Sequence, residues 1–139
     1  MTVQIVDEIY FNRSSYSIVG LKGASSEWSD NRLFNPKNVG MQPKAINTKN
    51  YSGFHCKYEF FNKKLFLTSM ILKEINEYYV PVGKAQPEIQ HRLASYEDID
   101  LFIPFSGKIS LLEGRLIELK DYFSEKIISI KLKEGMVFG

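Results

Sequence analysis

The chain has 139 residues, 44% of them apolar and 24% charged, a composition typical of one soluble domain that buries its own core. The formal net charge is only +2 and the 18 basic side chains are spread evenly along the chain, so the sequence shows no basic footprint for nucleic acid. A single cysteine excludes an internal disulfide and fits a reducing compartment. Because no apolar run is long enough for a membrane helix and the first residues lack the apolar core of a signal peptide, we expect a cytoplasmic protein.

The first third of the chain predicts a hairpin followed by a long connection. Two apolar runs, VQIVDEIYF and YSIVGLKG, flank the polar break Asn12–Ser15, a pattern typical of a β-hairpin. The segment from about residue 22 to 50 is rich in Gly, Ser and Asn and contains two prolines. We expect it to be a long polar connection with one short strand at KAIN, and connections of this kind are usually functional or mobile.

The rest of the chain predicts further strands. HCKYEFFNKKLFLTSMILKEI contains two strands around a turn at Asn62-Lys63, and a second polar connection runs from about residue 80 to 100. Near the C-terminus, apolar residues alternate with polar ones from Ile128 to Lys133, and Glu134-Gly135 predicts a tight turn into a last strand.

The segment 112–123 has two interpretations. Leu112, Leu116, Leu119 and Phe123 recur at helical spacing, whereas the pair Glu113-Gly114 suits a hairpin turn. We favour strand over helix. Taken together, these patterns predict a single mainly β domain with an antiparallel sheet of about seven to nine strands. The sheet would form a sandwich or a partly closed barrel, with at most one or two short helices.

Cys56 and His55 are adjacent and raise the question of a nucleophile with its base. In a strand, successive side chains point to opposite faces, so Cys56 falls on an apolar face with Phe54, Tyr58 and Phe60, and His55 on a polar one. A thiol buried among aromatic rings has a raised pKa, and a nucleophilic cysteine needs a base within hydrogen-bond reach. We therefore predict a structural cysteine in the core.

No other pattern points to catalysis or a cofactor. Glu97, Asp98 and Asp100 cluster three carboxylates, but the apolar LFIPF that follows does not fit a calcium loop. His91 has no second histidine or cysteine at the spacing of zinc ligands. Neither a phosphate-binding glycine motif nor a serine nucleophile elbow is present in the sequence. We expect no enzyme activity, no cofactor and no metal.

The long polar connection contains the residues most typical of a protein interface. It includes Trp28, the only tryptophan, together with Arg32 and Phe34, and Trp and Arg dominate interface hot spots. We predict a partner-binding surface of Trp28, Arg32 and Phe34, with Glu97, Asp98 and Asp100 as a secondary charged patch. The alternative is that Trp28 and Phe34 fold back to cap the sheet.

Several motifs resemble those of a family of small, uncharacterised bacterial proteins. They are an LF-x-P turn at Leu33–Pro36, a G-x-x-P step at Gly40–Pro43, an aromatic-flanked G-[YF]-x-C-x-Y-E strand at Gly53–Glu59, and a [VI]-P-F-[ST]-G-K-I strand at Ile103–Ile109. The chain departs from the family at Tyr51-Ser52, where a tryptophan is typical. The resemblance covers most of the chain and implies a single β-rich domain, and it carries over no activity and no catalytic residues to this chain.

Two functions from different classes fit these observations. The first is a non-enzymatic protein-binding module, most concretely a bacterial immunity protein of the antitoxin type that binds and neutralises a cognate toxin. The second is a β-barrel that encloses a small apolar ligand, which the abundance of Phe and Tyr would suit. We expect the partner to be another protein, and neither a nucleic acid nor a membrane.

Overall fold

The computed structural model describes residues 6–11, 13–23, 32–47, 50–113 and 127–137. Within these ranges it contains ten strands and one 3-10 helix, Pro36–Val39. The strands are β1 (Glu8–Phe11), β2 (Ser14–Gly23), β3 (Phe54–Phe61), β4 (Lys64–Leu72), β5 (Glu88–Gln90), β6 (Leu93–Tyr96), β7 (Leu101–Phe102), β8 (Gly107–Glu113), β9 (Ile127–Lys133) and β10 (Met136–Val137). The prediction of a mainly β domain is confirmed, although the strands outnumber the predicted range of about seven to nine.

Seven of the strands close into a barrel. Their order around it is β1, β3, β4, β10, β9, β8, β2 and back to β1. β1 and β3 are parallel, and the other neighbouring pairs are antiparallel. The junction of β10 with β4 is short: Met136 pairs with Lys64, and the backbone N–H of Leu65 donates to the carbonyl of Gly135 at 2.9 Å. Of the predicted alternatives, the structure is therefore a closed barrel with additional strands.

Three two-residue turns set the register of the hairpins. In the predicted turns Asn62-Lys63 and Glu134-Gly135, all four residues have positive φ, between 50° and 83°. This geometry matches the right-handed twist of the flanking strands. A third turn of the same kind, His91-Arg92, joins β5 to β6. Both predicted turns are confirmed, and so is the first hairpin, in which β1 pairs with β2.

Other predicted elements differ from the structure. The segment 80–100 is not a plain connection, because it contains the β5–β6 hairpin, which extends the sheet beyond β4. KAIN forms no strand, and only an isolated bridge between Asn47 and Asn50 is present there. In the ambiguous segment 112–123, Leu112 lies in β8 as favoured. The rest of that segment, from residue 114 onward, lies outside the described residues.

Alternate side chains of β3 and β4 point inward and contribute to the core. Phe54, Cys56 and Tyr58 are at most 2% exposed, as the sequence predicts. On β4, buried residues follow the spacing Leu65, Leu67, Met70, Leu72, because the pairing with β3 shifts by one residue at Thr68. This bulge turns the second half of β4 so that Met70 and Leu72 also face inward.

Residues 32–47 and 50–53, which we call the cap segment, pack against the start of β3 and the end of β4. The backbone N–H of Lys44 donates to Lys73 at 2.8 Å, and that of Lys73 donates to Gly53 at 2.9 Å. The carboxylate of Glu74, a residue only 4% exposed, stabilises the contact between the cap segment and the end of β4. It accepts backbone N–H groups from Gln42 at 3.0 Å, Asn76 at 2.6 Å and Tyr78 at 2.9 Å.

We predict that Glu74 makes stability depend on pH. Burial raises the pKa of Glu74, but the three N–H groups together outweigh burial and lower it below its ordinary value. A lowered folded-state pKa contributes stability above the unfolded pKa of about 4.3, and that contribution is lost as the pH falls through the folded pKa. Glu74→Gln should therefore lower the free energy of unfolding by about 1–3 kcal/mol at pH 7. Urea titrations at several pH values should show that the difference in free energy of unfolding between Glu74→Gln and the wild type becomes smaller below about pH 4.

The exposed carboxylate of Glu77 provides the control. Its nearest cation, Arg92, lies 3.8 Å away, and both side chains are more than half exposed. Glu77→Gln should change stability by less than about 1 kcal/mol at any pH. Equal losses in the two variants would mean that Glu74 does not hold the cap segment.

Candidate functional site

A carboxylate occupies a core position at the start of the barrel. Asp7 immediately precedes β1, and the register that pairs Ile9 with Tyr58 places Asp7 opposite Cys56. Asp7 is 6% exposed, and its Oδ1 accepts the backbone N–H of Cys56 at 2.8 Å. The sequence contains a signal for this, since Asp7 shares the alternation of Ile9 and Phe11, where an apolar side chain is the rule.

Arg32 of the cap segment neutralises this carboxylate. Its Nε donates to Asp7 Oδ2 at 2.7 Å and its Nη2 donates to Oδ1, a two-point pairing suited to the guanidinium. The guanidinium carbon also lies 4.0 Å from the centre of the Phe54 ring, a cation–π contact. Burial lowers the pKa of Arg32, but the charge of Asp7 and the hydrogen bonds to it together outweigh burial and leave the pKa of Arg32 raised.

Polar residues of the cap segment extend the cluster. Ser52 Oγ accepts from Arg32 Nη1 at 3.1 Å, and Asn50 Oδ1 accepts the backbone N–H of Gly53 at 2.9 Å. The Asn50 amide donates to the carbonyl of Phe54 at 3.4 Å. Through its contacts with Asp7 and Phe54, Arg32 connects the cap segment to the start of β1 and to β3.

The thiol of Cys56 and the hydroxyl of Tyr58 lie beside this ion pair, and both are fully buried. Burial raises the pKa of Cys56 and of Tyr58 well above their ordinary values. Among the described residues, the Tyr58 hydroxyl has no hydrogen-bond partner. His55 lies on the opposite face of β3, where its Nε2 is 2.9 Å from the carbonyl oxygen of Val6. The predicted burial of Cys56 in the core is confirmed, but its surroundings include a charged pair as well as the predicted aromatic rings.

We predict that Cys56 reacts slowly with thiol reagents in the native protein and rapidly in denaturant, because a buried, protonated thiol is neither accessible nor nucleophilic. Cys56→Ala should cost about 1–2 kcal/mol of stability through a small cavity. Timed labelling with and without urea measures the first effect, and denaturation of the variant measures the second. Rapid native labelling would instead indicate an accessible thiolate.

Two of the residues predicted to bind a partner have structural contacts. Phe34 is 5% exposed and belongs to the core, as in the alternative in which it folds back on the sheet. The Arg32 side chain is 16% exposed and is engaged by Asp7. Neither offers a free surface to a partner. Trp28 lies outside the described residues.

The three clustered carboxylates are exposed but do not converge. Asp100 pairs with Lys84 at 2.8 Å, with both side chains more than half exposed, while Glu97 and Asp98 point to solvent. Within the described ranges, no group of three or more His, Cys, Asp or Glu residues is arranged to hold a metal ion. Likewise, no helix in the described part of the chain has the length and apolar character needed to span a membrane.

The sequence reasoning missed an apolar patch on the outside of the barrel. We define the outer patch as Phe61, Phe66, Phe102 and Met136, which lie on β3, β4, β7 and β10. Phe61 and Met136 both pair with Lys64 and share its face, and they are 68% and 46% exposed. One row away, Phe66 pairs with Phe102, and their ring centres are 5.8 Å apart.

Gly135 lets the ring of Phe102 lie close to the β9–β10 turn, since a Cβ there would come within 2.5 Å of Phe102 Cζ. The four side chains of the outer patch therefore lie in two neighbouring rows across β3, β4, β7 and β10. A signal for it exists in the sequence, because Phe61 follows His55, Lys57 and Glu59 on the polar face of β3.

Comparison of the chain with protein-family models, curated proteins and solved structures found no match.

Proposed function

We propose that this chain is a non-enzymatic protein-binding module whose recognition surface is the outer patch. Its most concrete form is an immunity protein of the antitoxin type, which binds a cognate toxin and blocks it. The observation that carries the proposal is the outer patch itself: four large apolar side chains in two neighbouring rows on the outside of a closed barrel. Single exposed apolar residues are ordinary, but contiguous ones indicate an interaction site.

The barrel itself gives no reason for the outer patch. The core is built from the inward faces of the strands, and Leu65 and Leu67, which alternate with Phe66 on β4, are already fully buried. Phe and Met are enriched at interfaces, and charged neighbours, Lys64 between Phe61 and Met136 and Glu59 beside Phe66, supply polar contacts.

The interior supports a structural role more than a catalytic one. Asp7 and Arg32 neutralise each other, and the pKa of the Cys56 thiol is raised by burial, so the cluster holds no activated nucleophile. The charged side chains of Glu97 and Asp98 remain part of the proposal as a secondary patch, and the role predicted for Trp28 stays a prediction.

An apolar ligand inside the barrel ranks second. Eight-stranded barrels have an interior just wide enough for side chains to fill, and this barrel has seven strands. Its inward positions carry large side chains such as Leu65, Leu67, Ile109 and Leu111, all 0% exposed. These side chains favour a packed core over a ligand cavity.

The test is to capture the partner with the wild-type protein from its own cells and to measure the affinity of that partner for two matched variants. Phe61→Ser removes the most exposed ring of the outer patch and should weaken binding at least about thirtyfold, as expected of a hot spot. Tyr78→Ser removes an aromatic residue that is 58% exposed, beyond the opposite end of β4, and should leave the affinity within about twofold. Equal affinity of the two variants would remove the outer patch from the proposal.

The immunity function of the antitoxin type requires a separate experiment. The captured protein should arrest growth when it is expressed alone, and co-expression of the wild-type chain, but not of Phe61→Ser, should restore growth. A captured partner without toxicity would leave a protein-binding module and eliminate the immunity function.

A further inference from the structure

Three lysines from distant parts of the chain form a row on the outside of the barrel. Lys22 on β2 pairs directly with Lys108 on β8, and Lys108 pairs directly with Lys131 on β9. Directly paired residues project from the same face with Cβ atoms about 5 Å apart. All three side chains are exposed. We call these three residues the lysine ladder.

A continuous row of paired residues leads from the lysine ladder around the barrel to the outer patch. Lys133 lies two residues beyond Lys131 on β9, on the same face, and pairs with Met136. Met136 in turn pairs with Lys64, which pairs with Phe61. Lys64 therefore lies between Met136 and Phe61, Lys133 lies beside Met136, and the row of lysines continues around the barrel over β9, β8 and β2.

The sheet does not need this row of like charges. Like charges directly opposite each other destabilise a strand pair. Lysines often protect an exposed sheet edge, but Lys108 lies on β8, which is hydrogen-bonded on both sides within the closed barrel. In the described part of the chain, no carboxylate forms a salt bridge with any of the five lysines. The next row, Gly20, Ser110 and Ser129, carries only small side chains and leaves the ammonium groups open to a partner.

We propose that the lysine ladder binds an acidic protein surface, in which carboxylates meet the three lysines. The inference rests on the proposed function and adds the chemical class of the partner. Opposite charges of this kind steer association and increase its rate.

The same geometry disfavours a nucleic acid or a lipid surface. The row beside the lysine ladder has no aromatic ring on which a base could stack, and the ladder has no arginine for two-point contact with a phosphate. Glu59 is exposed and shares the row of Phe66, where it would face the phosphates of an anionic membrane if the rings entered the lipid.

The test uses three defined polyanions at low salt: poly-L-glutamate, polyadenylate, and vesicles of phosphatidylcholine with phosphatidylserine. We expect the wild-type protein to bind poly-L-glutamate most tightly, and the binding to weaken as salt is added. Lys108→Gln/Lys131→Gln should bind poly-L-glutamate at least about tenfold more weakly. The control, Lys37→Gln/Lys44→Gln, removes the same charge from exposed residues of the cap segment and should stay within about twofold.

Relief of the like-charge pairing should leave the urea midpoint of the ladder variant unchanged or raised, so its loss of binding cannot come from unfolding. Equal weakening in both double variants would show a response to net charge alone and overturn the inference. Tighter ladder-dependent binding of polyadenylate or of the vesicles would overturn it in favour of that partner. None of these probes involves the native partner. A negative result for Phe61→Ser would therefore leave the inference about the lysine ladder standing, and a negative result with the polyanions would leave the proposed function standing.

Discussion

Asp7→Ala should lower the free energy of unfolding by about 3–5 kcal/mol, because removal of one member of a buried ion pair leaves the other charge without compensation. Here the charge left behind is the guanidinium of Arg32, and the backbone N–H of Cys56 also loses its acceptor. Urea denaturation at pH 7 measures the loss. Arg32→Ala should lower the free energy of unfolding by a similar amount, since it leaves the Asp7 carboxylate buried without its cation.

The exposed pair Lys84–Asp100 is the matched control. Its N···O distance is 2.8 Å, but its side chains are 74% and 53% exposed, so Asp100→Ala should cost less than about 1 kcal/mol. In the Asp7→Ala/Arg32→Ala double variant the two losses should not add, and a coupling of about 2 kcal/mol or more is expected. Small, additive losses would mean that the Asp7–Arg32 pair is solvated and does not hold the cap segment.

Gly53→Ala should destabilise the protein by about 3 kcal/mol or more, through backbone strain and a steric clash combined. Gly53 has φ of +89°, and a Cβ at this position would lie 2.6 Å from the carbonyl oxygen of Lys44. The cap segment would have to move away from β3 to make room. Thermal and urea unfolding of the variant measure the effect.

Gly40→Ala separates the two causes. Gly40 has a similar φ of +87°, but a Cβ there would meet nothing within 4 Å. Its substitution should therefore cost only the strain, about 1–2 kcal/mol. If the two alanine variants were equally stable, the close approach of Lys44 to Gly53 would have no energetic weight.

Local chemistry accounts for the parts of the fold that the sequence predicts. The turns Asn62-Lys63 and Glu134-Gly135 contain residues that tolerate positive φ between alternating strands, so the hairpins can be located. The parallel pairing of β1 with β3 and the closure of β10 on β4 join residues more than 40 positions apart. No local pattern encodes such pairings, so the sequence alone does not distinguish a barrel from a sandwich.

The residues of the candidate sites also fall into two groups, those that local sequence patterns predict and those that depend on contacts between distant parts of the chain. Alternation along β3 places Cys56 in the core from sequence alone. The residue type of Arg32 predicts an interface, whereas its actual contact, Asp7, lies 25 positions away in the sequence. The lysine ladder could not be found by counting charges along the chain, because Lys22, Lys108 and Lys131 come from separate regions and meet only through the register of the barrel.

The central claim is that recognition lies on the outside of the barrel and that the interior cluster is structural. The most direct test measures both affinity for the captured partner and stability for two variants, Phe61→Ser and Cys56→Ala. Phe61→Ser should lose affinity by at least about thirtyfold at an unchanged urea midpoint. Cys56→Ala should keep full affinity while losing about 1–2 kcal/mol of stability. The opposite pattern, in which Cys56→Ala abolishes binding and Phe61→Ser leaves it intact, would contradict the account and place the function inside the barrel.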